Sequence, residues 1–214
     1  MRRRVLAFAC VGAVLVAMAG AGWLTLFRPA AKARATLEEL ARRTGLVGQT
    51  ARQSAWPRLR TMGEGTFGRL TLPSARGERE GLRVEVGTVP DLGRGHPAMT
   101  WVAIFAAAEM VKGSTGLSRE AGQHLAAALR LGSDTHPVHL DWFGEGVAWG
   151  SAPEFERAFR APTPNLLRDF PRPWATILFE REVLLLQWFG LEQDAAVIEE
   201  AFRIGLKCVQ AARK

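Results

Sequence analysis

The chain has no tyrosine, and its 214 residues include only two cysteines, Cys10 and Cys208. Two thiols cannot make a disulfide framework, and Cys10 lies inside an apolar run, where it reads as a small apolar residue. Lysine is scarce too, at 4 residues against 24 arginines. With abundant Ala and Gly, that bias reads as coding composition rather than selection for bidentate phosphate contacts. There is no G-x-S-x-G, no C-x-x-C, no phosphate-cradling glycine loop and no dinucleotide fingerprint. Their absence removes the familiar signatures of nucleophilic hydrolases, thiol redox proteins and nucleotide-binding folds. No internal repeat or low-complexity segment occurs.

Acidic charge is missing from one end only. The formal charge is +7, but residues 1–60 hold 11 basic and 2 acidic side chains, whereas residues 61–214 hold 17 and 19. The later part is close to neutral, so no nucleic-acid partner is expected of it.

The start of the chain is distinctive. Arg2, Arg3 and Arg4 precede 23 uncharged residues, Val5 to Phe27, and Arg28 closes the run. Such a run is long enough to span a bilayer. Small-x-small exits at Ala17-Met18-Ala19 and Ala19-Gly20-Ala21 keep a cleaved signal peptide as the alternative. The expectation is a single-pass inner-membrane protein with its soluble domain in the periplasm. Residues 5–27 would then contact the membrane, and Arg28, Lys32 and Arg34 would meet anionic lipid headgroups.

Three regions follow: a transmembrane anchor or signal peptide over 1–28, a basic juxtamembrane helical stalk over 29–62, and a mostly helical soluble domain over 63–214. In the stalk, Ala33, Leu37, Leu40, Thr44 and Val47 make a narrow apolar seam, with Gly45 placed as a C-terminal cap. Thr66 to Leu72 and Leu82 to Val89 alternate like half-buried strands, joined by a loop over Ser74 to Gly81. Ala98 to Val111 is apolar nearly all round and predicts a buried helix. Ser118 is placed to cap a helix to Leu131, and Ser151 with Glu154 forms a capping box. Trp174 to Phe189 and Glu192 to Ala212 predict an antiparallel helical hairpin about Gly190. The fold class expected is therefore α+β, mostly α-helical, with a small two-stranded β element.

Residues 118–150 gather Glu120, His124, Asp134, His136, His139, Asp141 and Glu145. Glu120 and His124 are four apart on a predicted helix and could share one metal ion. Trp142-Phe143-Gly144-Glu145-Gly146-Val147-Ala148 resembles the W-x-x-E-G-x-A segment of gluzincin-type metallopeptidases. That resemblance implies a zinc site with His124 as second His and Glu145 as third ligand. Glu120 stands where the first His belongs and Ala121 where the general-base Glu belongs, so the zinc-bound water would lack its base.

The reading as a whole is a membrane-anchored, non-catalytic interaction or scaffold protein of the bacterial envelope, with no cofactor. Its partners would be other envelope proteins, as in a secretion, transfer or pilus assembly. The alternative is a degenerate gluzincin-like zinc domain using Glu120, His124 and Glu145.

Overall fold

The computed structural model of the chain describes residues 20, 28–50, 54–57, 73–89, 98–119 and 135–213. The strands among them form one antiparallel sheet: β1 (Val47–Thr50), β2 (Pro73–Arg79), β3 (Leu82–Val89), β4 (Met99–Phe105), β5 (Ser114–Ser118), β6 (Thr135–Leu140), β7 (Gly144–Trp149), β8 (Trp174–Glu180) and β9 (Val183–Phe189). Their spatial order is β1-β2-β3-β4-β9-β8-β5-β7-β6. Helices α1 (Arg28–Thr44), α2 (Ala152–Ala158), α3 (Thr163–Arg168) and α4 (Ala195–Ala212) accompany it.

The mostly helical fold class is thus corrected: the fold is organised by a sheet. Ala98 to Val111 and Trp174 to Phe189 were both expected as helices, yet they supply β4, β8 and β9, three adjacent strands at the middle of the sheet. The physical reason is burial on both faces. In β4 and β9 every residue but the last is buried, so the alternation that marks a half-exposed strand disappears. The expected loop over Ser74 to Gly81 is mostly strand β2, which pairs along its length with β3. Only Glu80 and Gly81 turn, both with positive φ, 50° and 73°, the geometry a two-residue hairpin of matching twist requires. Ser118 ends strand β5 rather than capping a helix; the helix expected beyond it and the strand at Thr66 to Leu72 lie outside the described residues.

Other elements match their sequence signals. Leu82 to Val89 is β3, and the C-terminal helix forms as α4. The helix expected after the capping box forms as α2, although Ser151 makes no side-chain capping bond. Helix α1 ends before Gly45, which takes φ 70°. Its seam residues Ala33, Leu37 and Leu40 are buried, and the helix lies against β2, β3 and α4. Lys32 and Arg34 face outward, Arg34 holding Glu38 at 2.9 Å.

Among the described residues no helix is long and apolar enough to cross a membrane. The anchor expected over 1–28, apart from Gly20 and Arg28, lies outside the described residues, and so do the bilayer contacts expected of residues 5–27. The expectation of a single-pass inner-membrane scaffold built on a periplasmic helical domain is corrected accordingly. What the described chain presents is a nine-stranded sheet covered by helices on one face.

That face carries the larger core. Leu184, Leu186 and Trp188 of β9, Val102 and Ile104 of β4, and Ile177 and Phe179 of β8 meet Ile198, Ala201, Phe202, Leu206 and Val209 of α4. Gly205 of α4 allows the closest approach, since a Cβ there would run into Ile104. Aromatic rings extend the same layer, with Phe170 stacked on Trp174 at 3.9 Å between centroids and Phe159 edge-on to Phe179 at 5.5 Å.

Candidate functional site on the second face of the sheet

Strand alternation sends the remaining side chains to the opposite face. Val89, Met99, Trp101, Ala103, Trp149, Ala175, Leu178, Val183 and Leu185 form a second buried cluster there, together with Trp56 from the chain between β1 and β2. No helix α1–α4 lies on this side. Residues 54–57 lie over it as a strap held by two acids of the sheet. The buried Glu85 carboxylate accepts from the Ser54 hydroxyl, from the Ala55 N–H at 2.9 Å and from Arg83 at 2.9 Å. Glu180 accepts the Trp56 indole N–H at 2.9 Å. Glu85 holds the strap from a fully buried place, where hydrogen bonds are strong, and Glu180 holds it from a half-buried one.

Beside the strap, the register lines up one row of residues across six strands: Gly87, Trp101, Gln187, Thr176, Ser118 and Val147. Two glycines shape its surroundings. A Cβ on Gly87 would overlap the Trp101 ring, and a Cβ on Gly116 would overlap both the Trp149 ring and the Ile177 carbonyl. Both indoles therefore lie down on the sheet over a residue without a side chain. Trp101 leans toward β3 and Trp149 toward β5, leaving Gln187, Thr176 and Ser118 between them.

These three are polar and fully enclosed. Gln187 is 1% exposed, and Thr176 and Ser118 are 0% exposed. The Ser118 and Thr176 hydroxyls share a bond at 3.2 Å, and Ser118 also reaches the Ala175 carbonyl at 3.4 Å. Among the described residues, the Oε1 of Gln187 has no hydrogen-bond partner. An orphaned buried acceptor of this kind costs about 1–3 kcal/mol, so a sheet built for stability alone would carry an apolar residue here. Nothing at the row is charged. Arg119, next in the chain, points to the other side, donating to the Phe143 carbonyl and lying 5.4 Å from that ring's centre. Chemically the row is neutral: two hydroxyls bonded to each other beside an amide whose oxygen is unmet.

The residues singled out by sequence fall elsewhere. Glu145 is exposed on β7, in register with the exposed His139 of the edge strand β6. The heptapeptide from Trp142 to Ala148 forms the hairpin turn and most of β7, with Phe143 buried in the helical-side core. His136 is exposed on β6, and Glu120 and His124 lie outside the described residues. No group of three or more His, Cys, Asp or Glu side chains gathers among the described residues. Sequence reasoning missed Gln187 because it sits in a run expected as a helix. A lone amide among Leu184, Leu185, Leu186, Trp188 and Phe189 was the available signal.

Two surface clefts, of 370 and 430 Å³, are lined in part by the exposed Arg76 and Glu78 and by the exposed Lys207 and Gln210. Neither brings together buried polar groups as the row does.

The sequence matches no family model and no curated protein. The fold, however, is similar to a solved one. The crystal structure of the mycobacterial trehalose monomycolate transport factor A, TtfA, superposes with a TM-score of 0.59 over 85% of this chain and 94% of that one, at 12% identity. At that identity the likeness is one of fold: this chain shares its architecture with a transport factor of the mycobacterial type.

Proposed function

We propose that this chain is an accessory factor of envelope transport that acts by binding, and that its cargo class is an acylated sugar of the kind named for its structural neighbour. The observation that carries the reading is the extent of the likeness, which takes in nearly the whole of both chains. In this role its partners are other envelope proteins of the transport route.

Disruption of the gene tests the reading. Extracted envelope lipids are separated and quantified with and without it. A several-fold accumulation of an acylated trehalose or related glycolipid, with loss of the products made from it after transport, is the expected result. An unchanged lipid profile in the disrupted strain contradicts the proposal.

A further inference from the structure

We infer that the cleft between α3 and the C-terminal end of α4 docks an acidic segment of a partner protein, an inference that rests on the reading of this chain as a factor working through other envelope proteins. The cleft has room for a ligand, with a volume of about 430 Å³, and its walls include Arg160, Pro162, Leu166, Lys207, Gln210 and Ala211. Its cations follow from the fold. Helix α4 buries Ile204, Cys208 and Val209 in the helical-side core, which turns Lys207 and Gln210, three apart, to the outward side. Arg160, in the turn before α3, donates from Nη2 to the Ala211 carbonyl at 3.1 Å and so satisfies a carbonyl that the helix end leaves open. A guanidinium has further N–H donors to give, and both Arg160 and Lys207 stay exposed. Lys207 has no salt-bridge partner among the described residues, and Glu200, two turns back, is held by Arg203. Charge decides the occupant. The two stretches that build the cleft, 157–168 and 201–213, hold six basic and no acidic side chains, although residues 61–214 as a whole carry 17 basic and 19 acidic ones. Glu80 reaches only Gln210, whose amide it accepts at 3.1 Å. A basic excess confined to one cleft of a near-neutral domain complements carboxylates. The cleft is also concave with apolar walls at Pro162, Leu166 and Ala211, which suits a peptide side chain entering beside the cations, whereas a flat lipid surface would meet only the rim.

The test uses the full chain and two fluorescein-labelled peptides, one rich in glutamate with a leucine at its centre and the other with glutamines in place of the glutamates. Binding is followed by fluorescence anisotropy, thermal unfolding is recorded in parallel, and phosphatidylglycerol vesicles serve as a third probe. The expected result is that the glutamate peptide binds about tenfold more tightly than the glutamine peptide, and that Lys207→Glu lowers its affinity about tenfold without moving the melting temperature. Arg76→Glu, in the other cleft, is expected to leave the affinity unchanged, which separates docking here from a general response to charge. Should Lys207→Glu fail to fold, Arg160→Gln carries the same comparison. Equal binding of the two peptides, or unchanged affinity in the folded variant, overturns the assignment, and so does binding to the vesicles with neither peptide held. In the disrupted strain, a lipid defect that the Lys207→Glu gene repairs as fully as the natural one strikes the docking cleft alone, whereas peptide binding without a lipid defect strikes the transport reading alone.

Discussion

At the scale of single residues, Cys208 shows how completely α4 is sealed against the sheet. Its side chain is fully buried, and burial pushes the thiol from an ordinary 9.0 up to about 12. The neutral form is the one the fold accepts. A group whose pKa is raised on folding contributes stability that is intact below its unfolded value and is lost as pH climbs toward the folded one. Stability is therefore expected to fall between about pH 9 and pH 12, with Cys208→Ala removing part of that slope. Urea midpoints measured across this range check it, and an equal slope in the variant would assign the loss to other groups. Alkylation at pH 8, read by mass spectrometry on the Cys208 peptide, is expected only after unfolding.

At the scale of elements, the turn from β9 into α4 depends on one carboxylate. Glu192 accepts from the Trp188 indole at 3.3 Å, from Arg172 at 3.1 Å, and from the backbone N–H groups of Gln193 and Asp194 at 3.0 and 3.1 Å. Its own N–H donates to Thr100, whose hydroxyl donates to the Gly190 carbonyl. Asp194 then caps α4 by accepting from the Ala196 N–H. Replacing Glu192 by Ala strands a buried indole N–H and frees the helix start, so a loss of about 1–3 kcal/mol is expected. Chemical denaturation measures it, and Glu192→Gln, which keeps the acceptor, is expected to lose less.

The same elements show what a sequence can reveal about this fold. Helices α1 and α4 bury one side only, and their apolar spacing was plain; β3 kept enough alternation to be read as a strand. In β4, β8 and β9 both faces are buried, and a strand apolar on both sides looks in one dimension like a buried helix. That ambiguity concealed the sheet, and with it the row containing Gln187, which only cross-strand register assembles. The capping box predicted α2, while Ser151 leaves its side-chain bond unmade. Glu145 carried a recognisable heptapeptide, yet the turn at Gly144, with φ 87°, makes it a hairpin residue on an exposed strand.

At the scale of the whole molecule, one sheet separates two different environments. The helical side is aromatic and aliphatic core, packed by α1, α2, α3 and α4. The other side combines an apolar cluster, a strap tied down by Glu85 and Glu180, and an enclosed polar row with an unmet acceptor. The edges of the sheet are protected from pairing with other chains: β1 has only four residues, and β6 carries Pro137, both common devices against edge-to-edge association. Amide hydrogen exchange of the full chain tests this two-sided sheet most directly. Slowest exchange in β4, β8 and β9, with faster exchange in the edge strands β1 and β6, is the expected result; exchange in β4, β8 and β9 as fast as at the edges would contradict it.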